Sequence, residues 1–334
     1  MALLTLLLRS DTPCAGGQDA SAAHRMQAVS NAVTGQIGIF DGGKPVLRYN
    51  YRSVDPGAVL ENIKTNNLKY ARPRSDYIHP LYGLSGEELT RDWAVDHPHH
   101  RGIYWAWPEV DYGTNRADLH ALQNIFARPT GNVRLRSGAE LAQIEAENLW
   151  LWEDREPVVR ESVSIRAYPA TQQGRVVDLT LNFVALKEGV TIARRQTKHY
   201  GGMNVRLVTP ESQTISILTN APNARPQRAW ADLSGLFPGG SAASGLTLMQ
   251  HPQNPGYPGE WVQFPNLSWC QPTFPTSGTR YALKRGQPLP LRFRLWIHAG
   301  GNPDSDVLTG LWDAFSSTPT EVPFSKLPEN KPAR

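Results

Sequence analysis

Leu291-Arg-Phe-Arg-Leu-Trp-Ile-His298 is the stretch that decides the fold class. Its apolar set Leu291, Phe293, Leu295 and Ile297 alternates strictly with Arg292, Arg294, Trp296 and His298, the period of two that belongs to a strand with one buried face. The same alternation recurs in Val177, Leu179, Leu181 and Phe183, and again in Val159, Val163 and Ile165. Gln36 to Phe40 and Pro45 to Tyr51 flank Asp41-Gly-Gly-Lys44 and read as a hairpin with a glycine turn. Further strands are expected at 132–136, 140–152, 201–208, 213–220 and 244–250. One helix is expected near the end, where Asp304 or Ser305 can cap a segment carrying Val307, Leu308, Leu311, Trp312 and Phe315 at helical spacing. Long antiparallel strands joined by Pro/Gly loops predict an all-β protein. The expectation is one large antiparallel β-sandwich over residues 33–316 with a short C-terminal helix, followed by an irregular tail, 317–334.

Composition agrees and narrows the partners. The 334 residues carry 34 Lys and Arg against 30 Asp and Glu, a balance of +4 that is too small to make nucleic acid the expected partner. Twenty-eight glycines and 27 prolines exclude a helical bundle, while 10 Trp, 11 Tyr and 40% hydrophobic content exclude a low-complexity chain. Two cysteines, Cys14 and Cys270, do not define a redox compartment. Met1 to Leu8 matches the apolar part of a short secretory signal, although a basic segment before it is missing and Arg9 follows it. Residues 1–25 are therefore read as a signal remnant or disordered segment, and a periplasmic or extracellular location is expected over a cytoplasmic one. No other stretch approaches the ~20 apolar residues of a membrane helix, so no integral membrane segment is expected.

The histidines are clustered. Four of the nine fall in Tyr77-Ile-His79-Pro-Leu81 and Asp96-His97-Pro-His99-His100-Arg101-Gly102. In an extended segment His97 and His99 project to one side and His100 to the other. Such a cluster can hold a divalent metal, for which His97 and His99 are the candidates, or place one imidazole as general acid or base. Ile103-Tyr-Trp-Ala-Trp107 follows directly, and Trp105 is a candidate to stack on a sugar ring, with Glu109 and Asp111 beyond it as possible carboxylates. Lys198-His199 precede Tyr200 and a double glycine, where backbone can approach a ligand. His251, Asn254, Glu260 and Trp261 share a Pro/Gly-rich loop, and His298 ends the polar face of the opening strand. The expected catalytic set is His79, His97, His99 and His251. The expected substrate-binding set is His100, Arg101, Trp105, Lys198, His199, Asn254, Trp261 and His298. Gly-x-Gly-x-x-Gly, Walker and Gly-x-Ser-x-Gly motifs are all missing, which removes nucleotide cofactors and serine-type acyl transfer from the expected chemistry.

Pro45 to Tyr49, Tyr77 to Leu81, Asp96 to Gly102, Lys198 to Gly202, Trp230-Ala-Asp-Leu-Ser-Gly235, His251 to Asn254 and Ile297-His298 occur in an order that resembles the bacterial PmoA-like family, labelled "methane oxygenase PmoA". The resemblance covers about residues 35 to 300, and the Asp-His-Pro-His-His-Arg-Gly string is its most specific element. It implies an exported protein of carbohydrate metabolism, encoded near sugar oxidoreductases. It does not imply methane oxidation, because the membrane subunit of that name needs several spanning helices. Lys198-His199-Tyr200 departs from the family, whose members often show an acidic residue or tyrosine there, and this weakens a role for His199. A many-stranded sandwich like that of galactose mutarotase is the fold analogy. The expected function is an exported enzyme acting on a glycoside or modified sugar, by hydrolysis or β-elimination, with histidine acid/base or metal-assisted chemistry. The alternatives are a non-catalytic glycan-binding protein and a metal-dependent oxidase.

Overall fold

The computed structural model describes residues 26–219, 226–319 and 323–324. Among these residues twenty strands form three antiparallel sheets, with one α-helix near the C-terminal end. The first sheet runs, in spatial order, β1 (Met26–Asn31), β2 (Gln36–Asp41), β3 (Lys44–Asn50), β4 (Tyr77–Leu81), β5 (Ile103–Ala106), β13 (Gly202–Arg206), β18 (Trp269–Pro272) and β17 (Trp261–Phe264). The second runs β14 (Glu211–Ile217), β15 (Trp230–Leu236), β16 (Ser244–Gln250), β20 (Pro288–Ala299), β11 (Gly174–Ala185), β10 (Glu156–Ala167), β9 (Ala142–Trp152) and β8 (Ile125–Arg136). A small third sheet holds β19 (Tyr281–Leu283), β12 (Val190–Ala193), β6 (Glu109–Tyr112) and β7 (Asn115–Ala117). The helix is α1 (Ser305–Ser316), capped by the Asp304 side chain accepting from the Asp306 N–H.

The all-β sandwich is as expected, with its first boundary moved. Pairing begins at Met26, because β1 adds to the edge of the β2–β3 hairpin; residue 33 lies in the turn that follows. The turn inside that hairpin has Gly42 and Gly43 at φ 56° and 81°, the consecutive positive values that a two-residue turn between twisted strands requires. The signal reading of residues 1–25 and most of the tail after 319 lie outside the described residues.

Alternation places the core. On β20 Leu291, Phe293, Leu295 and Ile297 face the interior between the two large sheets, together with Val177, Leu179, Leu181 and Phe183 of β11. The opposite face of β20 is also covered: Trp296 packs with Leu308, Trp312 and Phe315 of α1, and Arg294 pairs with Asp178 at 2.7 Å. The interior is not wholly apolar. Glu161 on β10 accepts from the indole N–H groups of Trp105, on the opposing sheet, and of Trp150, at 2.5 Å for the latter. Asp76, just before β4, accepts from Tyr49 Oη at 2.6 Å and Asn148 Nδ2 at 3.0 Å. Burial, and then the neighbouring Asp76 charge, hold the Glu161 carboxyl well above the usual range, which favours its protonated form. This polar knot ties one sheet to the other at a defined register.

A folded-state pKa raised above the unfolded value favours folding at low pH and loses that advantage as pH rises, since only the unfolded chain gives up its proton readily. Urea unfolding should therefore show stability falling from about pH 4.5 upward, and the slope should be flatter in Glu161→Gln. Parallel curves for the two proteins would remove the proton from Glu161.

Candidate functional site

Three central strands of the first sheet are buried on both faces: β5, β13 and β18. Trp105, Met203, Val205 and Cys270 point into the sandwich. Their neighbours Tyr104, Asn204, Arg206, Trp269 and Gln271 therefore point out, and register pairs Tyr104 with Asn204 and Arg206 with Trp269. Trp269 of this outward row lines a cavity of about 470 Å³ whose other walls are mostly loops. Tyr70, His97, His99, His100, Asp118, His120, Tyr200, Phe264 and Trp269 are among its lining residues.

The histidine loop is not extended. His97 N–H donates to Ala94 O at 3.1 Å and His100 N–H to His97 O at 2.9 Å, which are turn bonds. A turn brings residues three apart together, so His97 stacks on His100, with centroids 4.8 Å apart, while it also meets His99 edge-on at 5.9 Å. His99 meets His100 edge-on at 4.6 Å, and His120, from the loop after β7, comes within 5.3 Å of His99 and 5.4 Å of His100. Asp92, Tyr77 and Trp93 hold this loop through Arg101. Its fully buried guanidinium pairs with Asp92, donates to the Tyr77 hydroxyl and lies 3.5 Å over the Trp93 ring. Gly102 ends the motif at φ 60°, and a Cβ there would meet Ile78 O at 2.3 Å, so the loop can turn into β5 only at a glycine. Arg74 fixes the His120 loop by donating to Leu119 O at 2.9 Å and His120 O at 2.6 Å.

Burial governs the protonation of the cluster. It lowers His99 to about 3, and puts His100 and His120 well below the ordinary imidazole value, with mutual repulsion adding to it. All three are neutral bases at physiological pH. Burial also raises Asp118 to about 6 despite its acceptance from the Ala121 N–H at 2.7 Å. One ring nitrogen from each of His99, His100 and His120 lies within 4.8 Å of the others. The buried Nδ1 atoms of His99 and His100 have no hydrogen-bond partner. Each such atom costs about 1–3 kcal/mol, which a ligand able to bond to the imidazoles would repay. Around them Tyr70 lies 5.1 Å from His99, Tyr200 lies 5.0 Å from His120, and Phe264 stacks on Trp269 at 5.1 Å.

Of the residues singled out from sequence, the cavity brings together His97, His99 and His100. The others sit elsewhere, each with a structural partner. His79 bonds Thr90 Oγ1 at 3.0 Å. Arg101 is spent on Asp92, and Trp105 on Glu161 inside the core. Lys198 and His199 are exposed; it is their carbonyls that matter locally, since Arg194 donates to both, while Arg195 and Tyr200 from the same loop line the cavity. The double glycine approaches the chain's own backbone, with Phe274 N–H donating to Gly201 O. His251 is buried between Arg292, at 2.9 Å, and Phe315. Asn254 copies a backbone partner by exchanging two bonds with the main chain of Arg292, at 2.7 and 2.8 Å. Trp261 donates to Arg228 O at 2.8 Å, and His298 pairs with buried Asp232 at 2.9 Å. Glu109 and Asp111 are taken by Arg116 and Arg280. His120, Tyr70, Tyr200, Phe264 and Trp269 join the site without having been expected there.

Fold and site together define an all-β sandwich protein with a histidine-lined cavity on the outer face of one sheet. The chain belongs to the family described as a family of unknown function (DUF6807), whose model matches residues 36–313. No curated protein matches it.

Arg101 is a structural anchor in this geometry, and removing it leaves Asp92 half-buried and unpaired. Arg101→Ala should cost about 3–5 kcal/mol in urea unfolding, and Arg101→Lys, which cannot reproduce the stacked fork, should recover only part of it. A loss below about 1 kcal/mol, the worth of an exposed pair, would show that the loop is held by something else.

Proposed function

We propose that the cavity is the active site of an exported enzyme acting on a glycoside or modified sugar. The observation that carries this reading is the convergence of neutral imidazoles and aromatic rings on one cavity of about 470 Å³, large enough for a small saccharide. A sugar ring offers flat C–H faces to aromatic side chains and a rim of hydroxyls to polar ones. Tyr70, Tyr200 and Phe264 supply the first kind of surface; the imidazoles and Asp118 supply the second. In this role Tyr70, Tyr200, Phe264 and Trp269 stand in place of the rings anticipated from sequence, Trp105 and Trp261.

Hydrolysis and β-elimination both need a base to accept a proton and an acid to return one. His99 and His100 are neutral and so can accept; Asp118, raised to about 6 by burial, retains a proton more readily than an ordinary Asp and is the candidate acid. The resemblance to the PmoA-like family, with its sugar-metabolism setting, supports the same substrate class and the export reading.

The test is product release from a panel of glycosides, 3-keto sugars included, with and without divalent metal. Turnover is expected, reduced by at least ~100-fold in His99→Ala. Exposed Phe264, replaced by Ala, should raise KM several-fold with little change in kcat. Saccharide binding without any turnover would make the protein a glycan-binding module instead, and oxygen consumption coupled to substrate loss would make it a metal-dependent oxidase.

A further inference from the structure

We infer that His99, His100 and His120 form a binding site for one divalent first-row transition-metal ion, held by three imidazoles with its remaining coordination positions open to the cavity. The inference deepens the reading of the cavity as an active site and rests on it for the metal's purpose, though not for its existence; with an ion bound, His99 and His100 serve as ligands in place of the proton-accepting role given them above.

The first support is placement. Three imidazole nitrogens, from two loops anchored separately by Arg101 and Arg74, lie within 4.8 Å of one another. Tetrahedral ligation with bonds of about 2.0–2.1 Å puts nitrogens roughly 3.3 Å apart, so the rings need to close by up to about 1.5 Å to hold an ion.

The second support is the hydrogen-bond chain behind His120. The Gly201 N–H can only donate, and it donates to Gln271 Oε1 at 2.9 Å. That fixes the Gln271 amide, whose Nε2 donates to Asn204 Oδ1 at 2.7 Å. Gly202 O can only accept, and it takes a bond from Asn204 Nδ2 at 2.8 Å, so the orientation of Asn204 is set from both ends by main chain. Asn204 Oδ1 then lies 3.2 Å from His120 Nε2, and the Tyr104 hydroxyl lies 3.0 Å from the same atom. An amide oxygen cannot donate, whereas a hydroxyl can accept; only a proton on Nε2 satisfies both. His120 is thereby held as the Nε2–H tautomer with its lone pair on Nδ1. Locking one ring nitrogen by an outer acceptor is how proteins prepare a histidine to ligate through the other.

The donor set selects the ion. Three neutral imidazoles suit zinc, copper, nickel or iron, and offer magnesium or calcium none of the oxygens they require. Cys270, on the strand that carries Trp269 and Gln271, points into the core and contributes no thiolate. An ion bound by neutral ligands keeps its full charge for a substrate hydroxyl or a water.

The experiment uses the full chain, stripped with EDTA and dialysed. Zinc titration by calorimetry should give one equivalent bound per chain, and cobalt should bind with the visible absorption of a four- or five-coordinate nitrogen site. His120→Ala should weaken zinc at least 100-fold. Asn204→Leu and Gln271→Leu should weaken it 10–100-fold, and Asn204→Asp, which keeps an acceptor, should restore most of the loss. Nitrogen-15 histidine spectra of the stripped wild type should show Nε2 protonated on His120, a readout independent of how well any variant folds. Absence of stoichiometric zinc or cobalt on the wild type, equal affinity in His120→Ala, or magnesium binding as tightly as zinc would each overturn the site. Metal bound without sugar turnover upholds the site and removes the sugar-enzyme reading; turnover by stripped protein with no metal binding does the reverse.

Discussion

Three strands in the middle of the first sheet must hide both of their faces, and the molecule is arranged around that requirement. Inward, β5, β13 and β18 meet the second sheet through apolar side chains and the Trp105–Glu161 contact. Outward, the same strands present tyrosine, asparagine, arginine, tryptophan and glutamine, a row too polar to be sealed by an apolar helix of the kind that covers β20. Loops cover it instead, and loops bring their own polar groups. A buried polar row under polar loops has to be hydrogen-bonded throughout or to leave vacancies that a ligand fills. Asn204 and Gln271 are bonded on every side that matters, whereas His99 and His100 are not.

The two outer faces of the sandwich thus meet different solutions. Over β20 the arginines and His298 alternate with core residues much as Tyr104 alternates with Trp105. Yet Arg294 finds Asp178, His298 finds Asp232 and Trp296 finds α1, so the polar groups of that face are paired, although Arg294 and Trp296 also line a second cavity of about 620 Å³ beside α1. Over β5 and β13 the walls are the 92–101, 118–123 and 195–200 loops, each pinned by an arginine to main chain or carboxylate rather than by an apolar seam. Pinning by single buried side chains holds loop geometry while leaving space between the loops, and that space is the cavity.

Alternation made the strands legible in sequence, and the density of histidine in Asp96 to Gly102 made the central part of the site legible. His120 was not, because it stands alone between Leu119 and Ala121 and reaches the cluster through long-range bonds, Leu119 N–H and His120 N–H to Trp107 O at 3.0 and 3.3 Å and Arg74 to the Leu119 and His120 carbonyls. Tyr200 was hidden beside Lys198 and His199, whose side chains look more chemical; Arg194 binds their carbonyls and so turns the side chains out. His251 and Asn254 were overread because a Pro/Gly loop with polar tips has the same composition whether it lines a cleft or is folded down under a helix. Covering by α1 is a long-range fact that local pattern does not carry.

Register is what makes the site depend on the whole sheet. On β18 the order Trp269, Cys270, Gln271 sends Trp269 to the cavity wall, Gln271 to the hydrogen bonds behind it and the thiol to the core, where burial raises it to about 12 and keeps it inert. A slip of one residue against β13 would reverse this assignment: the thiol would face the imidazoles, and the amide that orients Asn204 would be pressed into the apolar interior. The cost of burying an unbonded amide, about 1–3 kcal/mol, and the loss of Trp269 from its stack with His100 at 5.6 Å both oppose the slip. The groups that prepare the cavity for a ligand are therefore the ones that fix the pairing of the strands beneath it, so the chemistry of the site and the register of the sheet are enforced by the same side chains.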